Sequence, residues 1–180
     1  MASRCAGASV LCYTTDDENT PCILLGQDSD GTHQWSDFGG GAHRLEPEAI
    51  CATRELKEEV MGLISGSRVT NSPQFQFQFR DKKNRLRHYT TYVMPVAYMA
   101  DLGNRFLARR LNLRCQSRDA ASSNPRLEKR AIAYFERADL PWSELRPFFR
   151  TRLSSILPVL KSTQWTPKPG IVATIDIHTP

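Results

Sequence analysis

Glu55, Glu58 and Glu59 are the residues whose spacing first points to chemistry. On a helix, positions i, i+3 and i+4 fall within roughly a quarter to a third of the circumference, so the three carboxylates share one face. Like charges at that spacing repel, and a hard divalent cation with oxygen ligands relieves the repulsion. The arrangement predicts a metal site. Oxygen donors select Mg²⁺, with Mn²⁺ as the alternative, over softer metals. A cation held by carboxylates can offset the charge of an anionic substrate and orient a water. A carboxylate crowded by others also stays basic enough to accept the water's proton.

These glutamates need a helix and a surrounding scaffold. From Pro47 or Glu48 to about Met61 the pattern is helical, with Ala49, Thr53, Leu56 and Val60 as the packing stripe and the carboxylates facing a solvent cleft. Pro47 suits the first turn and Gly62 the end. Upstream, residues 6–13 and 21–26 are apolar runs around an acidic turn and read as two strands. His33 to Phe38 is a short strand running into Gly39-Gly40-Gly41. Gln74 to Phe79 alternates glutamine and phenylalanine, which predicts a strand with Phe75, Phe77 and Phe79 on one face. His88 to Met99 reads as its antiparallel partner, and Leu127 to Phe135 as a further strand. A helix follows from about Pro141 to Lys161, bent or ended by Pro147 and Pro158. Residues 171–178 read as a final strand or an ordered extension.

A chain of 180 residues, 40% hydrophobic and 24% charged, fits one soluble domain over 1–180. Within it, about 101–126 reads as a basic insertion and about 163–180 as a C-terminal extension. The first residues contain no long apolar run, so neither a secretory signal nor a membrane span is expected, and a cytoplasmic or nuclear location is. Cysteines that are odd in number and form no CxxC pair argue for reduced thiols, and the histidines lack the spacing of zinc ligands. The net charge of +5 suits a polyanionic partner or, equally, a solvated basic surface.

Gly40, five residues, Glu46, seven residues, then Arg54-Glu55-Leu56-Lys57-Glu58-Glu59 resembles the Nudix box, G-x5-E-x7-R-E-U-x-E-E-x-G-U with U a bulky aliphatic. The sequence departs from it once, with two residues, Val60 and Met61, before Gly62 where the family has one. The resemblance implies an α/β fold, a Nudix-like α/β/α sandwich with a mixed curved sheet between helices. It also implies Mg²⁺-dependent hydrolysis of a nucleoside diphosphate linked to another group. By the same resemblance Glu55, Glu58, Glu59 and the Gly40 carbonyl hold the metal, while Arg54 and Glu46 hold the loop against the helix. The proton acceptor is then a box glutamate, Glu55 or Glu58, or one from a later loop, for which Glu128 is the candidate.

Outside the box, Lys83 and Arg85 in a charged turn and Arg109 and Arg110 in the basic insertion are candidate anion contacts. Trp35 is a candidate to stack on a base, or a strand-edge residue. Three functions stay open: hydrolysis of a nucleoside diphosphate derivative, ranked first; hydrolysis of capped messenger RNA or a diphosphoinositol polyphosphate, using the insertion; and RNA or nucleotide binding without catalysis. Every box glutamate is present, which weighs against the third. The expected partner is a nucleoside diphosphate-linked small molecule, with RNA as the alternative, and no membrane. Nothing in the sequence sets the oligomeric state.

Overall fold

Strand β1 (Arg4–Thr15) runs through the middle of one mixed sheet, and the other elements attach to it. In the computed structural model, which describes residues 4–116, 124–158, 160 and 172–176, β2 (Pro21–Asp28), β3 (Trp35–Ser36) and β4 (Phe38–Gly41) follow. Then come α1 (Glu48–Glu59), β5 (Gln74–Arg80), β6 (Leu86–Pro95) and α2 (Leu102–Gln116). The chain closes with β7 (Lys129–Glu136), α3 (Pro147–Ile156) and β8 (Val172–Asp176). The strand order is β3-β2-β1-β6-β5-β8, with β4 also on β1 and β7 also on β2. Pairs β1–β6 and β5–β8 are parallel; the others are antiparallel.

Strand side chains alternate between faces, and here both faces are covered. Val10, Cys12, Leu24 and Phe38 meet Leu56 of α1 and Phe106 of α2 on one side. Leu11, Ile23, Leu25, Phe75 and Phe77 meet Phe149, Leu153 and Ile156 of α3 on the other. The result is an α/β/α sandwich. Double coverage explains why 10–13 and 22–25 are apolar without interruption. Phe75 and Phe77 are fully buried as the alternation predicts, while Phe79 sits near the strand end, edge-on to Phe148 at 5.5 Å.

Four expectations change in detail. The buried face of α1 is Cys51, Ala52, Glu55, Leu56 and Glu59, so the acidic face is half turned inward instead of lying wholly in a solvent cleft. The two residues after Glu59 are absorbed in the helix cap. Val60 is the C-cap, Met61 takes the left-handed position (φ 53°), and Gly62 N–H returns to Lys57 O at 2.8 Å while Met61 N–H bonds Glu58 O at 3.1 Å. Those two bonds are a Schellman motif whose left-handed residue is commonly glycine. The 101–126 stretch contributes α2, which buries Leu102 and Phe106 in the same core. Its Arg118 and Ser122 lie outside the described residues, as do Lys161 of the C-terminal helix and all of the extension except β8. Pro147 stands at the first position of α3 rather than inside it. No helix among the described residues is long and apolar enough to cross a membrane.

α3 is fastened by a buried ion pair. Arg152, 3% exposed, donates from Nη1 and Nη2 to the two oxygens of Asp37, both at 2.9 Å, and from Nη1 to Ser9 Oγ at 2.9 Å and to Thr91 Oγ1. Removing one partner of such a pair leaves an uncompensated charge, which costs about 3–5 kcal/mol. Arg152→Leu is therefore expected to lose about that much in urea denaturation. Arg152→Leu with Asp37→Leu should lose clearly less than the sum of the single changes; strict additivity would show that the pair is not coupled.

Candidate functional site

β4 lays Gly39 and Gly40 directly on α1 and β1. A Cβ on Gly40 would stand 2.5 Å from Glu55 Oε1, and one on Gly39 would stand 2.2 Å from Ser9 Cβ, so neither position has room for a side chain. Gly39 N–H donates to Glu59 Oε2 at 2.8 Å. The Gly40 carbonyl oxygen, expected as a metal ligand, lies against Gly7 of β1 and 3.9 Å from Cys51 Sγ. What Gly40 offers Glu55 here is its missing side chain.

Arg54 clamps the loop. Its Nε and Nη2 reach Glu46 Oε1 and Oε2 at 2.9 and 3.0 Å, and Nη2 also reaches Gly41 O at 3.1 Å. Glu46 Oε2 accepts from His43 N–H at 2.9 Å. Hydrogen bonding to Arg54 brings the Glu46 carboxyl down to about 2. Arg54 Nη1 turns the other way, to Glu55 Oε1 at 2.7 Å and Glu58 Oε2 at 3.2 Å. One guanidinium thus fixes the loop and offsets part of the repulsion between two box glutamates.

Glu59 is 3% exposed and is held by a residue that sequence reasoning missed. Lys129 Nζ lies 3.3 Å from Glu59 Oε1, 2.6 Å from Asp28 Oδ1 and 2.7 Å from Ser36 Oγ. Burial pushes the Glu59 carboxyl up to about 8; Lys129 and the Gly39 N–H oppose this, and the charges of Glu55 and Glu128 add to it. Burial also raises Glu55, against the pull of Arg54. Lys129 is aimed inward by a register shift. Gln27 pairs with Ala131 and Asp28 with Lys129, which leaves Arg130 out of the ladder and turns Lys129 onto the face of Ile132. Gly26 makes space for it: a Cβ there would stand 2.9 Å from Lys129 Cδ.

Asp28, Gly39, Gly40 and Glu59 border a cleft of about 550 Å³, whose lining does not include Glu55 or Lys129. Gly39, Gly40, Glu59 and Glu128 line one part of it, and Arg110, Arg114 and Arg146 another. Glu128 is exposed, at the end of the turn before β7. Glu58 faces an adjoining space with Asn124 and Arg126. Arg110 is further fixed by its Nε bond to Lys129 O at 2.8 Å. Arg109 instead donates to Met61 O at 2.7 Å and closes the end of α1. Lys83 and Arg85 lie in the β5–β6 turn and do not line the cleft; Arg85 pairs with Asp81 at 2.7 Å. Trp35 packs edge-on against Phe135 at 4.9 Å as part of the α3-side core. Besides Lys129, the residues missed were Asp28 and Arg146, joined at 3.0 Å. Of the added cleft residues, only Arg114 had a sequence signal, its four-residue spacing from Arg110. Elsewhere, Cys5, Glu48 and His88 bring their ligand atoms within 4.8 Å of one another, and His88 Nε2 meets Glu48 Oε1 at 2.5 Å, pinning the first turn of α1 to β6.

The sequence profile of the NUDIX domain matches residues 6–109. Among solved structures, RenU, a Nudix hydrolase from M. smegmatis, is similar with a TM-score of 0.52 at 12% identity, over 88% of this chain and 89% of that one. The NUDIX domain of Shewanella oneidensis NrtR, complexed with ADP ribose, gives 0.52 at 13% identity over 89% and 91% of the two chains. A C. elegans Ap4A hydrolase binary complex gives 0.50 at 16% identity over 84% and 98%. At these identities the likeness is one of fold. No curated protein matches the sequence.

The position of Glu59 sets a pH dependence. Its carboxyl is raised from 4.5 to about 8, so the folded, cation-free protein keeps a proton there that the unfolded chain has already released. Cation-free stability should therefore decline as pH rises from about 4.5 to about 8 and lose no more to this group above that. Glu59→Gln has no such proton, and urea denaturation across the same range should show a shallower decline. An unchanged slope would remove Glu59 as its source.

Proposed function

The chain belongs to the NUDIX domain family, and on that premise we propose that it is a divalent-cation-dependent pyrophosphohydrolase acting on a nucleoside diphosphate derivative, with water attacking phosphorus. The observation that carries this reading is the meeting of Glu59 and Glu128 with the Gly39–Gly40 turn at one cleft, with Glu55 close enough to feel the charges of both Glu58 and Glu128. A cation fits this donor set. The donors are hard carboxylate oxygens; burial raises Glu55 and Glu59, and neighbouring carboxylates add a negative charge that a bound ion would offset. Glu55, Glu58 and Glu59 would hold it, and Mg²⁺ or Mn²⁺ there would offset the phosphate charge and orient the attacking water.

The protein's own groups divide the remaining work. Arg110, Arg114 and Arg146 supply the positive charge that draws a diphosphate into the cleft. Arg146 is steadied by Asp28 at 3.0 Å and Asp30 at 3.7 Å, and Arg110 by the Lys129 carbonyl. Glu128, exposed on the cleft wall, is the group we assign to receive the water's proton. The relatives complexed with ADP ribose or named for Ap4A support a nucleotide substrate class for this chain. Capped RNA draws less support. Arg105 is paired with Asp101 at 2.8 Å and Arg109 caps α1, so two cations of the basic helix are already engaged.

A Mg²⁺-supplemented screen of nucleoside triphosphates, dinucleoside polyphosphates, nucleotide sugars, diphosphoinositols and capped RNA tests the reading, with Glu59→Gln as the blank. Glu58→Gln and Glu59→Gln should each lower kcat/KM at least about 100-fold on the best substrate, and Glu128→Gln should lower kcat by at least about 100-fold. Full turnover in Glu58→Gln or Glu59→Gln would refute the metal assignment, and no turnover of any compound by the unaltered protein would favour a binding module.

A further inference from the structure

At the first turn of α1, Glu48 meets β1 and β6 in a corner with its own donor set. Cys5, Glu48 and His88 each bring one ligand atom within 4.8 Å of the others, and none of the three lines the acidic cleft. Glu48 precedes Glu55 by two helical turns, which places it roughly 10 Å away along the axis. A register shift builds the corner. β1 and β6 run parallel, with Cys5 opposite His88 and Gly7 opposite Tyr89, so Ala6 is an extra residue between two consecutive steps of β6. Such bulges are rare in parallel pairs. An uninterrupted β1 would send Cys5 to the α3 side with Leu11, because side chains alternate. The bulge brings it to the side of His88 and α1 instead. There Glu48 is held at both oxygens: Oε1 meets His88 Nε2 at 2.5 Å, and Oε2 accepts from Thr90 Oγ1 at 3.2 Å. His88 is buried, and Cys5 and Glu48 are half-buried. Burial and, after it, the charge of Glu48 push the Cys5 thiol up, so a thiolate in this corner requires a cation beside it.

We propose that Cys5, Glu48 and His88 form a second metal site, for a thiophilic divalent cation of the Zn²⁺ class, separate from the acidic cleft. The donor types carry the choice. Thiolate sulfur and imidazole nitrogen favour Zn²⁺, whereas Mg²⁺ and Mn²⁺ favour the oxygen-only set of Glu55, Glu58 and Glu59. Three protein ligands leave the fourth tetrahedral position to water. With bonds of about 2.0–2.3 Å, the ligand atoms of a tetrahedral site stand roughly 3.3–3.8 Å apart. The Glu48–His88 pair must open from 2.5 Å and no separation exceeds 4.8 Å, so side-chain rotations of about 1 Å complete the site. A Glu48–His88 ion pair alone would need neither the bulge nor the thiol. Binding exchanges the Cys5 proton for the metal: the S–H bond breaks, its electron pair stays on sulfur and binds the cation, and the proton leaves to solvent. His88 binds through the lone pair of its neutral ring. The three ligands come from β1, α1 and β6, so sequence spacing does not reveal them, and the ion would clasp the first turn of the helix that carries the acidic cluster to the sheet.

Co²⁺ titration of the full chain, with Mg²⁺ in excess to occupy the oxygen-only cluster, tests the site. A thiolate ligand gives Co²⁺ an intense near-ultraviolet charge-transfer band that carboxylates do not. The unaltered protein should show this band saturating at one equivalent, and Zn²⁺ should abolish it by displacement. Cys5→Ser and Cys5→Ala should both lose the band while keeping the metal-free urea midpoint of the unaltered protein, which controls for folding. Cys115→Ser, at the exposed cysteine, should retain it. Glu48→Gln should weaken Zn²⁺ binding at least about tenfold. Zn²⁺ should also raise the urea midpoint of the unaltered protein, more so at higher concentration, and leave that of Cys5→Ser unmoved. Absence of the band in the unaltered protein, or a band that survives both Cys5 changes, would overturn the proposal.

Discussion

The contact on which the site depends is the burial of Glu59 between Lys129 and the Gly39 amide. A carboxylate that is 3% exposed loses nearly all its hydration, and only specific partners make its charged form tolerable. Here those partners come from two other elements, so that satisfying one side chain fixes the end of α1 against the start of β7 and against β4. Lys129 is itself divided, reaching Asp28 at 2.6 Å and Ser36 at 2.7 Å. One buried ammonium therefore serves two carboxylates, and Glu55 and Glu58 lean on one guanidinium, Arg54, that is also committed to Glu46. The cluster is geometrically satisfied and electrically short of positive charge.

Close packing of charged groups requires missing side chains as much as present ones. Gly26 admits the aliphatic stem of Lys129, and Gly40 admits the carboxylate of Glu55. Both glycines have ordinary extended roles in their strands, so what they provide is volume and not unusual backbone freedom. At the far end of α1 the reverse holds. Met61 adopts a left-handed backbone where a glycine is the common choice, and it is stabilised there by an 8%-exposed side chain in the core and by the Arg109 bond to its carbonyl. The cost of that conformation, about 1–2 kcal/mol for a residue with a Cβ, is borne by packing rather than by the loop.

Much of this was legible in the sequence, and the limits of legibility have physical causes. The phenylalanine–glutamine alternation gave β5 and its buried face because a strand with no irregularity keeps a period of two. The box spacing gave α1 and its carboxylates because helical geometry is regular. Lys129 could not be read the same way. It sits in LEKRAIAYF between two other charged residues, and only the register shift opposite Gln27 and Asp28 turns it inward. The inward turn of Glu55 and Glu59 was hidden for a related reason: apolar periodicity weighs carboxylates as solvent-facing, and their burial depends on partners distant in sequence, 70 residues away for Lys129. Trp35 and Arg109 each carried two readings in the sequence, and the structure gives each a structural partner. Trp35, on the edge strand β3, packs against Phe135, and Arg109 donates to the carbonyl of Met61.

The position of the glycine turn is controlled from both faces of the sheet. Successive side chains of an extended segment point to opposite sides, and Ser36 and Asp37, just before the turn, use this. Ser36 is held by Lys129 on the α1 side, and Asp37 by Arg152 of α3 on the other. Two residues later Gly39 donates to Glu59. A shift of α3 would therefore move Asp37 through a rigid, two-pronged guanidinium contact, and the turn could follow only by breaking its bond to the helix that carries the carboxylates. Ser36, Asp37 and Gly39 are thereby held from both faces of the sheet, by Lys129, Arg152 and Glu59. A change at Arg152 or Asp37 would therefore reach the carboxylate side as well.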